Sequence, residues 1–127
     1  MKVLVAGSSG LIGSALCHQL VQEGNEVARL VRREPQGSGE MPWDPDTGSL
    51  SASAFDGVDA VVHLGGRNIA AGRWTAKFKA ELLESRVRST ELIAATLSRL
   101  AEPPQVLICA SAIGIYGDRG GEELNEQ

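Results

Sequence analysis

Short apolar runs alternate along this chain with longer stretches whose apolar residues recur at helical spacing. Val3-Leu4-Val5-Ala6 is continuous and ends at Gly7, the pattern of a strand buried on both faces of a parallel sheet. Leu11, Ile12, Ala15, Leu16, Leu20 and Val21 then follow a helical period, with Gly24 placed as a C-terminal cap. Glu26–Val31 reads as a second strand, so the opening residues predict one right-handed βαβ unit. Residues 34–58 are rich in Gly, Pro, Ser and Asp. They predict a long connection with a short strand near Met41–Trp43 and a short helix near Ser51–Phe55. Asp59–Leu64 is another buried strand, stopped by Gly65-Gly66.

The longest helical stretch runs from 75 to about 100. Phe78, Leu82, Val87, Leu92, Ile93, Leu97 and Leu100 are its expected apolar face, and Pro103-Pro104 ends it. Gln105–Ala110 predicts a last strand, and everything after Ser111, through Glu126 and Gln127, reads as loop. Strands and helices in this alternation predict an α/β fold, a parallel sheet covered on both faces.

Composition narrows the function classes. The 127 residues have size for one domain, with 43% hydrophobic and 22% charged residues, as in an ordinary globular chain. The formal net charge is −4, and no basic block exceeds the pair Arg32-Arg33, which disfavours nucleic acid and membrane surfaces as partners. No apolar run approaches the roughly 20 residues of a bilayer span. The apolar start is too short for a secretory signal, and Cys17 and Cys109 form no CxxC, so a reduced, cytoplasmic setting is the expectation. The 15 glycines exceed the usual share of about 7%. Gly7, Gly65 and Gly114 each fall just beyond a predicted strand, at the sheet edge where open α/β sheets bind ligands.

Gly7-Ser8-Ser9-Gly10-Leu11-Ile12-Gly13 spells GxxGxxG between the first strand and first helix. Gly7 allows the turn out of the strand, Gly10 lets backbone approach a pyrophosphate, and Gly13 lets helix and strand pack closely. The N–H groups opening the helix then face an anion. The motif with its context predicts a Rossmann-type doubly wound sheet binding a dinucleotide. The phosphate loop GxxxxGK[ST] is absent, for no Lys lies between Lys2 and Lys77. The acid expected about 20 residues after the glycines is missing as well. Val31 stands there, followed by Arg32 and Arg33. A carboxylate would accept from a ribose 2′-hydroxyl and repel a 2′-phosphate, and an arginine does the reverse. NADP is therefore favoured over NAD, with Arg32 the stronger candidate and Arg33 evenly balanced against a solvated loop charge.

GSSGLIG, VRR, WDP, DAVVHLGG, GRW, SRVRSTELI and SAIGIYGDRG together resemble the extended short-chain dehydrogenase/reductases, in particular their atypical NAD-dependent epimerase branch. The resemblance implies that Ser9 and the backbone of Leu11 and Ile12 join the glycines of the loop at the cofactor, and that Leu64-Gly65-Gly66 lies along its ribose. It implies that Ser111 hydrogen-bonds the reacting oxygen of a small-molecule substrate. Arg86 stands where the family's helix usually carries Asn, and could reach a phosphate or an anionic substrate. Tyr116, the sole tyrosine, is expected to line the substrate pocket and not to act as the acid, because no Tyr-x-x-x-Lys is present. His63 is expected as a satisfied strand-end histidine, Trp43 and Trp74 as packing anchors, and no metal site has suitable spacing.

Enzymes of that family are much longer, with the substrate-binding part toward the C-terminus. Residues 1–127 are accordingly expected to be the cofactor-binding portion of a C-terminally incomplete Rossmann sheet, leaving a bare face that invites a homodimer or instability. Two functions remain open. One is an NADP-dependent oxidoreductase or nucleoside-diphosphate-sugar-epimerase-like enzyme moving a hydride to a small carbonyl or hydroxyl. The other is a non-catalytic NADP(H)-binding or sensing module.

Overall fold

The computed structural model describes residues 1–125; Glu126 and Gln127, read above as the end of a loop, lie outside the described residues. In chain order the elements are β1 (Lys2–Ala6), α1 (Leu11–Gln22), β2 (Glu26–Val31), β3 (Glu40–Asp44), β4 (Ser49–Leu50), β5 (Ala60–His63), α2 (Ala76–Leu97) and β6 (Val106–Cys109). Short 3-10 turns occupy Ala52–Phe55 and Ile113–Tyr116. The sheet order is β4-β3-β2-β1-β5-β6. Every pairing is parallel except β3 with β4.

The chain builds outward from β1 through β2 and β3, then crosses to the other side of β1 for β5 and β6. This reversal makes the β1–β5 boundary a topological switch point. Ala6 is in register with both Leu30 and His63, so the carboxyl ends of three strands are level.

Alternation divides the core between the two faces of the sheet. Val3 and Val5 point to α1 and join Cys17, Ala60 and Val62. Leu4 and Ala6 point to the other face and join Leu30, Trp43, Phe55, Val61 and Ile93 of α2. Leu4, Val5, Val61 and Ile93 are fully buried. The serial strand runs fit this arrangement, because a strand covered on both faces has no solvent side to keep polar.

Helix α1 stops where expected. The Asn25 amide donates to Leu20 O at 3.0 Å and Gly24 takes φ +79°, a conformation that a side chain resists. Thr75 starts α2, its Oγ1 accepting from the Phe78 amide at 3.1 Å.

Several local expectations are corrected. The segment after β3 turns back through Gly48 into β4, a hairpin strand too short to show a period. The tail after Ser111 is not wholly loop, since Ile113–Tyr116 forms a 3-10 turn. Val87 is exposed and not part of the apolar face of α2. Trp43 is a buried anchor, but Trp74 is 61% exposed and is held only at its indole N–H, which donates to Ile69 O. Leu11 and Ile12 share the helical period yet are 91% and 70% exposed.

Candidate functional site

The elements deliver their carboxyl ends to a cleft of about 820 Å³. Its walls are the glycine loop from Gly7 to Gly10, the end of β2 from Leu30 to Arg33, and Trp43, Pro45 and Asp46 after β3. Leu64, Gly65, Gly66 and Arg67 after β5 form a further wall, with Ser85, Arg88 and Ser89 of α2 among those opposite. The volume lies within the range of small-molecule and cofactor sites.

The loop's three glycines have different causes. Gly7 has φ +84°, and a Cβ there would lie 2.7 Å from the Gly65 nitrogen. A Cβ on Gly13 would lie 2.1 Å from the Gly7 carbonyl oxygen. Both glycines are therefore demanded by the protein's own packing. Gly10 is not. It has φ −75°, and a Cβ there would meet only the Gly7 oxygen, at 3.4 Å. Gly10 is also the N-cap of α1 and brings no side chain to that turn, so the helix start faces the cleft without a built-in anion.

The floor between β5 and α2 is polar. His63 Nε2 lies 2.9 Å from Ser89 Oγ. The Ser89 hydroxyl donates to helix carbonyls, to Ser85 O at 2.7 Å and Arg86 O at 3.2 Å. Its oxygen thus accepts from Nε2–H, which leaves His63 Nδ1 as the bare acceptor. That atom is buried without a partner, so His63 is only half satisfied. Burial, and then the Arg86 charge, push the imidazole below its ordinary pKa and keep it neutral. One turn earlier, Ser85 Oγ accepts from the Arg67 amide at 3.1 Å. Two serines of α2 thereby hold the segment 63–67 that carries Leu64, Gly65 and Gly66.

The cleft's arginines each face a carboxylate. Arg33 grips Glu40 with both terminal nitrogens, at 2.8 and 2.7 Å, and holds the Glu40 carboxyl below the usual range. Arg67 pairs with Glu81 at 3.2 Å and Arg88 with Glu84 at 2.9 Å. Arg32 donates through Nη2 to Asp46 Oδ2.

The expected site residues divide accordingly. Gly7, Ser9, Gly10, Arg32, Leu64, Gly65 and Gly66 come together in the cleft. Leu11, Ile12, Gly13, Arg86, Ser111 and Tyr116 are not among its lining residues. Arg86 lies beside Gly66, where a Cβ would come within 2.9 Å of its guanidinium carbon. Ser111 follows Ala110, whose amide donates to His63 O at 2.9 Å, and is exposed at the same sheet edge. Asp46, Ser85 and Ser89 did not stand out in the sequence. A signal for the serines was present: 78, 82, 85, 89 and 93 form one helical stripe, apolar except at 85 and 89. Among the described residues, no cluster of His, Cys, Asp and Glu is placed to hold a metal, and no helix is long and apolar enough to cross a membrane.

The model of the NAD dependent epimerase/dehydratase family matches residues 3–127. The chain belongs to that family. Within it, an epimerase family protein of Mycobacterium bovis is 44% identical over 124 residues, covering 98% of this chain and 40% of its own length. The crystal structure of human epimerase family protein SDR39U1 with NADPH is similar at a TM-score of 0.74 and 35% identity, over 90% of this chain and 37% of that one. A nucleoside-diphosphate sugar epimerase from Corynebacterium glutamicum is similar at a TM-score of 0.77 and 39% identity, over 96% of this chain and 25% of that one. This epimerase/dehydratase-family chain thus spans about two fifths or less of these relatives.

Proposed function

We propose that residues 1–127 are the NADP-binding portion of an extended short-chain dehydrogenase/reductase, akin to the nucleoside-diphosphate-sugar epimerases, that moves a hydride to and from a small carbonyl or hydroxyl substrate. Gly10 carries the reading. The fold places no demand for glycine at this position, yet a side chain there would stand at the mouth of α1 where a pyrophosphate would lie. Arg32, beside Val31 where the acid is expected, supports NADP over NAD, as does the NADPH in the human relative.

In this reading the backbone of Gly10, Leu11 and Ile12 holds the pyrophosphate, and Leu64 to Gly66 lies along the ribose. Gly13 serves the loop by packing and not by contact. NADP supplies the hydride chemistry. Ser111 hydrogen-bonds the reacting oxygen and holds it at the sheet edge, with Tyr116 lining the substrate end. Arg86, where the family's helix usually has Asn, favours a second reading as a non-catalytic NADP(H)-binding module. Turnover with carbonyl or sugar-nucleotide substrates separates the two.

Gly10→Ala tests the binding reading. The added methyl group meets little of the protein, so melting should shift by only a few degrees. NADPH affinity, by calorimetric titration, should fall about tenfold or more. Unchanged affinity in a folded variant would contradict the proposed role.

A further inference from the structure

Arg32 and Arg33 are adjacent at the end of β2 but have different tasks. Arg33 is committed to the fold: its fork grips Glu40, whose Oε2 also accepts from the Gln36 amide at 2.7 Å, closing the β2–β3 connection. Arg32 is held by the Asp46 carboxylate, both side chains are more than half exposed, and both line the cleft.

Asp46 is delivered to that position by a built turn. Its own amide donates to Asp44 Oδ1 at 2.9 Å, and Thr47 Oγ1 donates to Asp44 Oδ2 at 3.0 Å. Gly48, at φ +74°, then leads into β4. Asp44 is used inside the turn, and the Asp46 carboxylate is the one that reaches Arg32.

The geometry points to Asp46 as a cofactor-selecting residue that competes with a 2′-phosphate for Arg32. This inference rests on the NADP reading above. A 2′-phosphate must displace the carboxylate and then bear its repulsion. A ribose 2′-hydroxyl needs no such displacement, and can itself donate to Asp46. The pair thus tempers the preference that Arg32 creates and leaves NAD a weaker but real alternative.

The test compares 2′,5′-ADP with 5′-ADP as probes, titrated into the protein at low ionic strength. Asp46→Asn keeps the turn's backbone bonds and removes the charge. It should tighten 2′,5′-ADP about two- to fivefold, the size expected for removing one exposed competing charge, while 5′-ADP is unaffected. The gain should shrink as salt is raised. In the double variant Arg32→Gln/Asp46→Asn the gain should vanish. If the intact protein prefers 2′,5′-ADP but Asp46→Asn fails to tighten it, or tightens it without Arg32, the competition is overturned and the NADP reading stands. If the intact protein has no preference for 2′,5′-ADP and Arg32→Gln changes nothing, the NADP reading itself fails and this inference falls with it.

Discussion

His63 shows how much of a residue's role a single chain discloses. A histidine ending an apolar run predicts a satisfied ring, and Nε2 has its partner in Ser89. Ser89 is 26 residues away on another element, so no local pattern names it. The bare Nδ1 was equally invisible, because the ring's place, edge to face with Trp43 at 6.0 Å and close beside Gly65, is set by tertiary packing. Gly7 and Gly13 were legible for the opposite reason. Their constraint is steric and local, and the GxxGxxG spacing carries it.

The neutral ring has a consequence for stability. In the unfolded chain the imidazole titrates near 6.5, and in the fold it titrates lower. Above the unfolded value both states are neutral and the full stability is present. As pH falls below it, only the unfolded chain takes up the proton, and stability declines until the folded value is reached. Stability measured by urea unfolding should therefore fall from pH 7.5 to 5.5, by up to about 1.4 kcal/mol per pH unit from this group. His63→Gln should flatten that slope even if it lowers stability overall. An unchanged slope would remove His63 as its source.

At the level of elements, α2 separates what periodicity reveals from what it blurs. Its length was legible, but its apolar residues include one from the wrong side. Phe78, Leu82 and Ile93 lie on the buried stripe, whereas Val87, nine residues after Phe78, is half a turn away and exposed. Ile93→Ala should cost about 2–5 kcal/mol in urea unfolding, because it opens a cavity under the sheet. Val87→Ala should stay within about 0.5 kcal/mol. Equal costs would mean that α2 docks by another face. The β3–β4 hairpin escaped the sequence because a two-residue strand has no period; only Gly48 and the preceding Asp44-Pro45-Asp46-Thr47 hinted at the turn.

Across the whole molecule, the parallel sheet was legible because β1, β5 and β6 are continuous apolar runs alternating with helical periods. The cleft was legible along its β1 and β5 walls because glycines stop those strands at one edge, and along β2 through Arg32-Arg33. Its β3 and α2 walls were not, since Asp46, Ser85 and Ser89 reach it only through tertiary placement. Leu11, Ile12, Val106 and Ile108 remain exposed, so the apolar spacing of α1 and β6 exceeds what these elements bury. The chain also covers about 40% of the length of its Mycobacterium bovis relative.

In the proposed function, the cleft between β1, β2 and β5 binds a dinucleotide and Arg32 reads its 2′-phosphate. The most direct measurement is the dissociation constant of NADPH and of NADH for the intact protein and for Arg32→Asp. NADPH should bind about tenfold or more tighter than NADH, and Arg32→Asp should weaken NADPH far more than NADH. Equal losses for both, or no binding of either by the folded protein, would contradict it.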